Sequence, residues 1–318
     1  MRIRLGYVAM SLRLIDSSPS KTVTLKNINK IPDCQDQLNR LTRIAQENLG
    51  NTLRILKANF YDGIMFYRFT SRLIPLCTHP QFQAWNYREN LEEEFKVIGD
   101  FVKEHKMRVG LHPDHFTLLN SPNPEVQESS RRDLDYHLNI LEAMGLGTEF
   151  KLVIHVGGKY QNRDLALKRF KEQFRALPEK IRQRLILEND DRCFTAAEVL
   201  RLSKEVGAPM VLDLHHHQIL NDGEDLTALL PEIFATWGDG TPKVHLSSPR
   251  SEQDRRSHAD YVATATAIEF IKSTRKLERD FDMMLEAKQK DLALLKLAQE
   301  LKEQGFNLPT NGEIILEG

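Results

Sequence analysis

Eight short runs rich in aliphatic, β-branched and aromatic residues alternate with eight longer amphipathic stretches along the whole chain. The runs lie at 3 to 8, 64 to 69, 107 to 112, 150 to 156, 184 to 189, 209 to 214, 242 to 247 and 281 to 287. Between them, 36 to 60, 89 to 105, 125 to 144, 163 to 176, 195 to 206, 225 to 236, 259 to 272 and 289 to 304 repeat apolar residues at three-to-four spacing, the period of a helix with one buried face. Parallel neighbours in a sheet can be joined only by a crossover, so alternating β and α units of this size predict a parallel sheet. Eight of each predicts an α/β fold, a single (β/α)8 TIM barrel. The 318 residues suit one such domain over 1 to 318, with the barrel over about 3 to 304, an insertion at 9 to 35 and a loose tail near 305 to 318. Connections before the strands are short, as in GAP and DGTPK, and several after them are longer and polar.

Composition excludes more than it suggests. Cys34, Cys77 and Cys193 are scattered and lack a CxxC spacing, which argues against a disulfide framework or a thiolate metal site and for a reducing, cytoplasmic setting. No run approaches the roughly 20 apolar residues of a membrane span, and the N-terminus lacks a signal-peptide pattern. A formal net charge of -1 gives no overall attraction for a polyanion, so nucleic-acid binding has to come from local basic patches and bound cations. Nothing points to an obligate protein partner, and a monomer is expected.

The strand ends are where the sequence becomes specific. The runs finish on Tyr7, Arg68, His112, His155, Glu188, Asp213, His245 and Glu286. In a barrel these carboxyl ends form one face, where residues distant in sequence converge. Because side chains alternate along a strand, Val153 shares a face with His155, Ile186 with Glu188, Val211 with Asp213 and Met284 with Glu286. Apolar filling thus lies beneath a polar rim. Three carboxylates and three imidazoles there would each cost roughly several kcal/mol if left uncompensated. Divalent ions compensate them, and nitrogen and oxygen ligands without sulfur suit manganese, zinc or iron better than calcium. The stretch LDLHHHQ adds His216 three residues after Asp213, flanked by His215 and His217, and RSEQDRRSHADY adds His258. Lys243 has the parity of His245 and so points into the barrel, either pairing with a carboxylate or carbamylated into an anionic ligand.

The ordered series LGYVAMSL, IPLCTHP, LHPDHF, VIHVGGKY, LENDD, LDLHHHQ, KVHLSSPRSEQDRRSHADY and MLEAKQKD resembles the motifs of the UV damage endonucleases from residue 3 to about 296. The resemblance implies a TIM barrel related to endonuclease IV that acts in DNA repair. Its implied reaction is hydrolysis of the phosphodiester immediately 5′ to cyclobutane dimers and 6-4 photoproducts in duplex DNA, leaving a 3′-hydroxyl and a 5′-phosphate. Two or three divalent ions are implied, manganese foremost, with zinc, magnesium or iron as other occupants. The implied ligands are His112, His155, Glu188, Asp213, His216, His245, His258 and Glu286, with Glu188 bridging. Lys243 matches the family's modified lysine and His79 its histidine before a proline, which with Glu188 and His258 make the implied catalytic set. The family's lesion-probing positions fall on Tyr7, Ser11, His115 and Phe116, where the family carries a Tyr plus Asn and a Gln-Tyr pair. Phe116 keeps an apolar face for wedging between bases, and His115 keeps a donor. Arg68, Arg72, Lys159, Arg163, Arg250, Arg255 and Arg256 are candidates for flanking phosphates. Two other readings fit parts of the pattern: a sugar isomerase or epimerase using Glu188, Asp213, His245 and Glu286, and a catalytically silent damage-binding protein.

Overall fold

The computed structural model describes residues 1 to 317. Eight parallel strands, β1 (Arg2–Val8), β2 (Phe66–Arg68), β3 (Arg108–Gly110), β4 (Leu152–His155), β5 (Leu185–Glu188), β6 (Met210–Asp213), β7 (Lys243–Leu246) and β8 (Phe281–Leu285), pair in the order β3-β2-β1-β8-β7-β6-β5-β4. The two ends of that order meet. Leu111 donates its N–H to Lys151 O at 3.1 Å, and its carbonyl accepts from Val153 N at 3.0 Å, so the sheet closes into a barrel without free edges.

The two faces of the strands sort as alternation requires. Outward residues such as Leu5, Tyr67, Leu111, Ile154, Leu187, Leu212, Val244 and Leu285 pack beneath the helices in one continuous core. Inward, Val153, Ile186 and Val211 meet Trp237, and Val8, Phe66 and Met284 form a second apolar group. Gly6 belongs to this inner layer, and a Cβ there would stand 2.6 Å from the Phe66 ring, so bare backbone is what lets the ring fit.

The register corrects one strand end. Gly6 aligns with Phe66 and Val8 with Arg68, which turns Tyr7 outward into the helical layer. A shift of one residue exchanges the faces of a strand, and the phase expected for β1 differs from the observed one by that much.

The major helices run Cys34–Tyr61, Glu92–Glu104, Pro124–Ala143, Arg163–Ala176, Ala196–Val206, Leu226–Ala235, Thr264–Thr274 and Lys290–Glu303. The stretch expected to be helical from 259 starts only at Thr264, because Pro249 and His258 bridge as a small hairpin upstream of it. The loose tail is also overturned. Strands β9 (Asn307–Thr310) and β10 (Glu313–Ile315) form a hairpin, and β10 runs antiparallel to Arg2–Arg4 of β1. β2 reaches only Gly6–Val8, so the lower half of β1 has unpaired backbone groups that β10 satisfies, burying Ile314. Among the described residues no helix is long and apolar enough to cross a membrane.

Candidate metal centre and nucleic-acid face

The polar rim is assembled by local turns as much as by the barrel. Asp213 ends β6 and caps the short helix Leu214–Ile219, its Oδ1 accepting the His216 N–H at 2.8 Å. That turn swings His216 back over the strand end. Asn189 holds both: it donates to the Asp213 carbonyl and accepts from Asp213 N, each at 2.9 Å, and its own carbonyl accepts from His216 Nδ1 at 2.9 Å. With Nδ1 engaged in this way, Nε2 is the nitrogen of His216 left for a metal ion once the ring is deprotonated. His112 is fixed in the same way, with Nδ1–H donating to Pro113 O at 2.8 Å.

Glu188, buried at 1% exposure, is the hub. Its Oε2 lies 2.9 Å from His112 Nε2 and 3.5 Å from His155 Nε2; its Oε1 lies 2.6 Å from His245 Nδ1 and 4.0 Å from His216 Nδ1. Glu286 stands opposite, 3.3 Å from His245 Nδ1 and 3.9 Å from His258 Nδ1, and pairs with Arg68. Three triads result, each with potential ligand atoms within 4.8 Å of one another: His112, His155 and Glu188; Glu188, Asp213 and His216; Glu188, His245 and Glu286. All three contain Glu188.

The electrostatics follow from burial and neighbours. Burial raises the Glu188 carboxyl, but the charges of His245 and His155 and hydrogen bonds from His112 and His245 outweigh it and hold it well below the usual carboxylate range. Burial likewise opposes ionisation of Glu286, and Arg68 and His245 overcome it. Asp213 is pushed up to about 6 by burial, which His216 only partly offsets while Glu188 and Glu286 add to it. Burial lowers His155 to about 4. It also opposes the His216 cation, yet Asp213 and Glu188 raise that imidazole to about 9.

This donor set fits divalent cations. With Nδ1 donating to Pro113 O, His112 turns Nε2 toward a carboxylate oxygen 2.9 Å away, so a second proton or a cation has to lie between the two atoms. Asp213 Oδ2 is buried without a hydrogen-bond partner among the described residues. A carboxylate common to three triads is what bridging ions require.

The structure places the remaining candidates unevenly. Lys243 points into the bore below the rim, as its parity predicts; burial pushes its amine down to about 7 against the opposing effect of Asp282, and its Nζ sits 5.3 Å from the Phe66 ring centroid. Tyr7 is 1% exposed, with its hydroxyl donating to Asn59 Oδ1 at 2.6 Å, and Ser11 is buried and donates to Asp291. Both side chains are thus buried, against the exposure that a lesion contact calls for. His79 caps the turn Pro80–Phe82, its Nδ1 accepting from Gln81 N at 3.2 Å, and no hydrogen bond or ion pair among the described residues joins it to the cluster.

His115 and Phe116 lie on the loop after β3, their ring centroids 3.9 Å apart, and Phe116 is 65% exposed. Thr117 and Leu118 anchor that loop, the first donating to Asp133 and the second donating its N–H to Ser130 Oγ at 2.8 Å. A cleft of about 350 Å³ opens between this loop and the rim, lined by Arg68, Thr70, Arg72, His112, His115 and His155 among others. A larger cavity of about 670 Å³ lies on the outer wall between the helices Leu226–Ala235 and Thr264–Thr274 and contains none of these groups. Arg72, Arg250, Arg255 and Arg256 are exposed and Lys159 half-buried, whereas Arg163 is engaged by Glu198 at 2.5 Å.

Three further residues brace the barrel, Asn189 and His215 behind the rim and Asp282 at the opposite end of the bore; sequence reasoning missed Asn189 and Asp282 and noted His215 only as a flank of His216. Asn189 orients two ligand candidates, and nothing in LENDD signals that double role. His215 bridges Ser247 and the Arg255 carbonyl. Asp282, fully buried, accepts from Arg108 Nε at 2.6 Å and Arg4 Nη1 at 3.4 Å below the bore. Its parity with Met284 and Glu286 was the available signal for an inward carboxylate.

The fold class is that of the TIM-barrel proteins. Endonuclease IV from Thermus thermophilus superposes at a TM-score of 0.56 with 16% identity, over 94% of this chain and 99% of that one, a likeness of fold alone. A family model described as UV-endonuclease UvdE matches residues 3–314, and the chain belongs to that family. The UV DNA damage endonuclease of Halalkalibacterium halodurans is 41% identical over 306 residues, with 95% of each chain covered, and that of Bacillus pumilus is 42% identical over 318 residues, with 99% covered. The crystal structure of SacUVDE superposes at a TM-score of 0.86 with 34% identity, covering 95% of this chain and 99% of that one.

Proposed function

We propose that the chain is a DNA repair endonuclease that hydrolyses the phosphodiester immediately 5′ to a UV photoproduct in duplex DNA, leaving a 3′-hydroxyl and a 5′-phosphate. The observation that carries this reading is the sharing of Glu188 by three ligand triads at the rim beside an exposed His115–Phe116 loop. His112, His155, Glu188, Asp213, His216, His245, His258 and Glu286 would hold two or three divalent ions, manganese foremost, with Glu188 the carboxylate available to more than one of them. Such ions supply Lewis-acid stabilisation of a phosphate and a nucleophilic water at neutral pH. The chain's own part is to fix this geometry, and an in-line displacement needs no covalent enzyme intermediate.

Arg68, already at the rim, and the exposed Arg250, Arg255 and Arg256 position the sugar-phosphate backbone without reading sequence. Phe116 wedges into the duplex where damage has weakened stacking, His115 offers a hydrogen bond beside it, and the 350 Å³ cleft next to His112 and His155 receives the displaced nucleotides. Damage selectivity then comes from the lower cost of deforming a lesion. The protein acts as a monomer in the cytoplasm, on the nucleoid, and Lys243 lies beneath the rim as an additional positive or carbamylated group.

A nicking assay on a duplex carrying one defined photoproduct tests the reading. Cleavage should vanish with a chelator, return with manganese and map immediately 5′ to the lesion. Chelator-resistant cleavage, or none with any divalent metal, would refute it.

A further inference from the structure

The loop after β7 folds into a hairpin that carries three arginines, Arg250, Arg255 and Arg256. Pro249 bridges His258, Arg250 N donates to Ser257 O at 2.8 Å, and Ala259 N donates to Ser248 O at 2.8 Å. Its arms expose Arg250, Arg255 and Arg256, and its base presents His258 to Glu286. The returning arm has an outside contact in Arg256, 3.4 Å from Asp191. The base has a buried one.

His215, 1% exposed, enters that base from the short helix Leu214–Ile219. Its Nε2 is 2.7 Å from the Arg255 carbonyl oxygen and its Nδ1 is 2.7 Å from Ser247 Oγ. A carbonyl can only accept, so Nε2 carries the proton and donates, and the bare Nδ1 accepts the Ser247 hydroxyl proton. The ring centroid lies 5.5 Å from that of His258 and 6.3 Å from that of His216. One side chain therefore ties the end of β7 to the far arm of the hairpin, directly behind two ligand candidates.

We propose that His215 is a positioning residue: clamped between Ser247 and the Arg255 carbonyl, it locks the 249 to 258 hairpin so that His258 faces the metal centre while the three arginines face the DNA backbone. This rests on the nuclease reading for its purpose but not for its geometry. Phenylalanine at 215 keeps the volume and removes both bonds; glutamine keeps a donor that reaches the Arg255 carbonyl; Ser247→Ala keeps the ring and removes one bond.

The test is hydrogen exchange of the full chain, read on the 249 to 258 peptide, with manganese titration and kinetics on a lesion duplex alongside. His215→Phe should speed exchange in that peptide about tenfold while β5 and β6 stay protected, since a buried anchor has been lost locally. Manganese affinity should fall roughly 10–100-fold, as it does when groups behind metal ligands are removed, and KM for DNA should rise more than kcat falls. His215→Gln should recover most of the protection, and Ser247→Ala should give an intermediate loosening. Unchanged exchange in the peptide for both His215→Phe and Ser247→Ala, or acceleration spread evenly over the barrel, would overturn the clamp. The exchange readout needs neither metal nor DNA, so an inactive but normally clamped wild type would sink the nuclease reading alone.

Discussion

Replacing Tyr7 by Phe distinguishes what the structure says about the first strand from what the family resemblance implies. The resemblance makes Tyr7 a lesion contact; the structure makes it a core residue whose hydroxyl donates to Asn59 Oδ1 at 2.6 Å, with Tyr7 1% and Asn59 0% exposed. The phenylalanine ring keeps the edge contact with Tyr67, whose centroid is 5.4 Å away, so the change removes one hydrogen bond and little packing. It strands the Asn59 carbonyl oxygen, and Asn59 Nδ2 already has no partner. Leaving a buried acceptor unmade costs about 1–3 kcal/mol. Unfolding entropy of roughly 2.1 cal/mol/K per residue gives a chain of 318 residues roughly 0.7 kcal/mol/K, which converts that cost to a Tm lowered by about 1.5 to 4.5 °C. Thermal unfolding measures it, and a nicking titration on damaged and undamaged duplex measures the rest. The expected result is a lower Tm with unaltered damage discrimination; an unchanged Tm together with lost discrimination would show that Tyr7 contacts the lesion and that the outward assignment is wrong.

Glu188→Gln should reduce nicking of a lesion duplex by roughly a thousandfold or more and lower the manganese stoichiometry, while thermal unfolding shows a folded barrel; full activity would remove the bridging role. Phe116→Ala should lower the preference for damaged over intact duplex roughly tenfold, from the loss of about 1–3 kcal/mol of stacking, and should shift stability by no more than about 0.5 kcal/mol because the ring is exposed. Lost manganese in that variant would show that the loop supports the metal centre instead. His137 is fully buried, donates from Nδ1 to Asp133 O at 2.7 Å and has no partner for Nε2; burial lowers its pKa below the ordinary 6.5 despite Asp133. The unfolded chain then binds a proton that the folded chain rejects, so this contribution is complete above 6.5 and is lost as pH falls below it. Measured as Tm between pH 5 and 8, His137→Leu should show a shallower acid decline than the wild type, and an equal decline would remove the assignment.

How far the site could be read in advance depended on the kind of information each residue needed. His155, Glu188 and Asp213 end strands whose inward partners Val153, Ile186 and Val211 are apolar, and alternation alone aimed them correctly. The same rule failed at Tyr7, because the glycine at position 6 supplies no side chain to mark the inner face and the phase of β1 is set by its pairing with β2. The orientation of His216 depends on Asn189, and that of the 249 to 258 hairpin on His215, contacts that span 27 and 40 positions. Spacing along the chain carries no trace of such pairs. The tail from 307 to 315 looked loose for a related reason: it has only short alternating runs, and the unpaired lower half of β1 is what makes it a strand pair.

Periodicity and strand-end chemistry by themselves determined a barrel of eight β/α units and a ring of imidazoles and carboxylates at one mouth of it, because both follow from local alternation and from the high cost of burying unbalanced charge. Tertiary structure decided that Glu188 is the carboxylate common to every triad, that Tyr7 and Ser11 are buried, and which ring nitrogen each fixed histidine has engaged. Those outcomes depend on strand register and on hydrogen bonds between remote segments, and such interactions exist only once the chain has closed on itself.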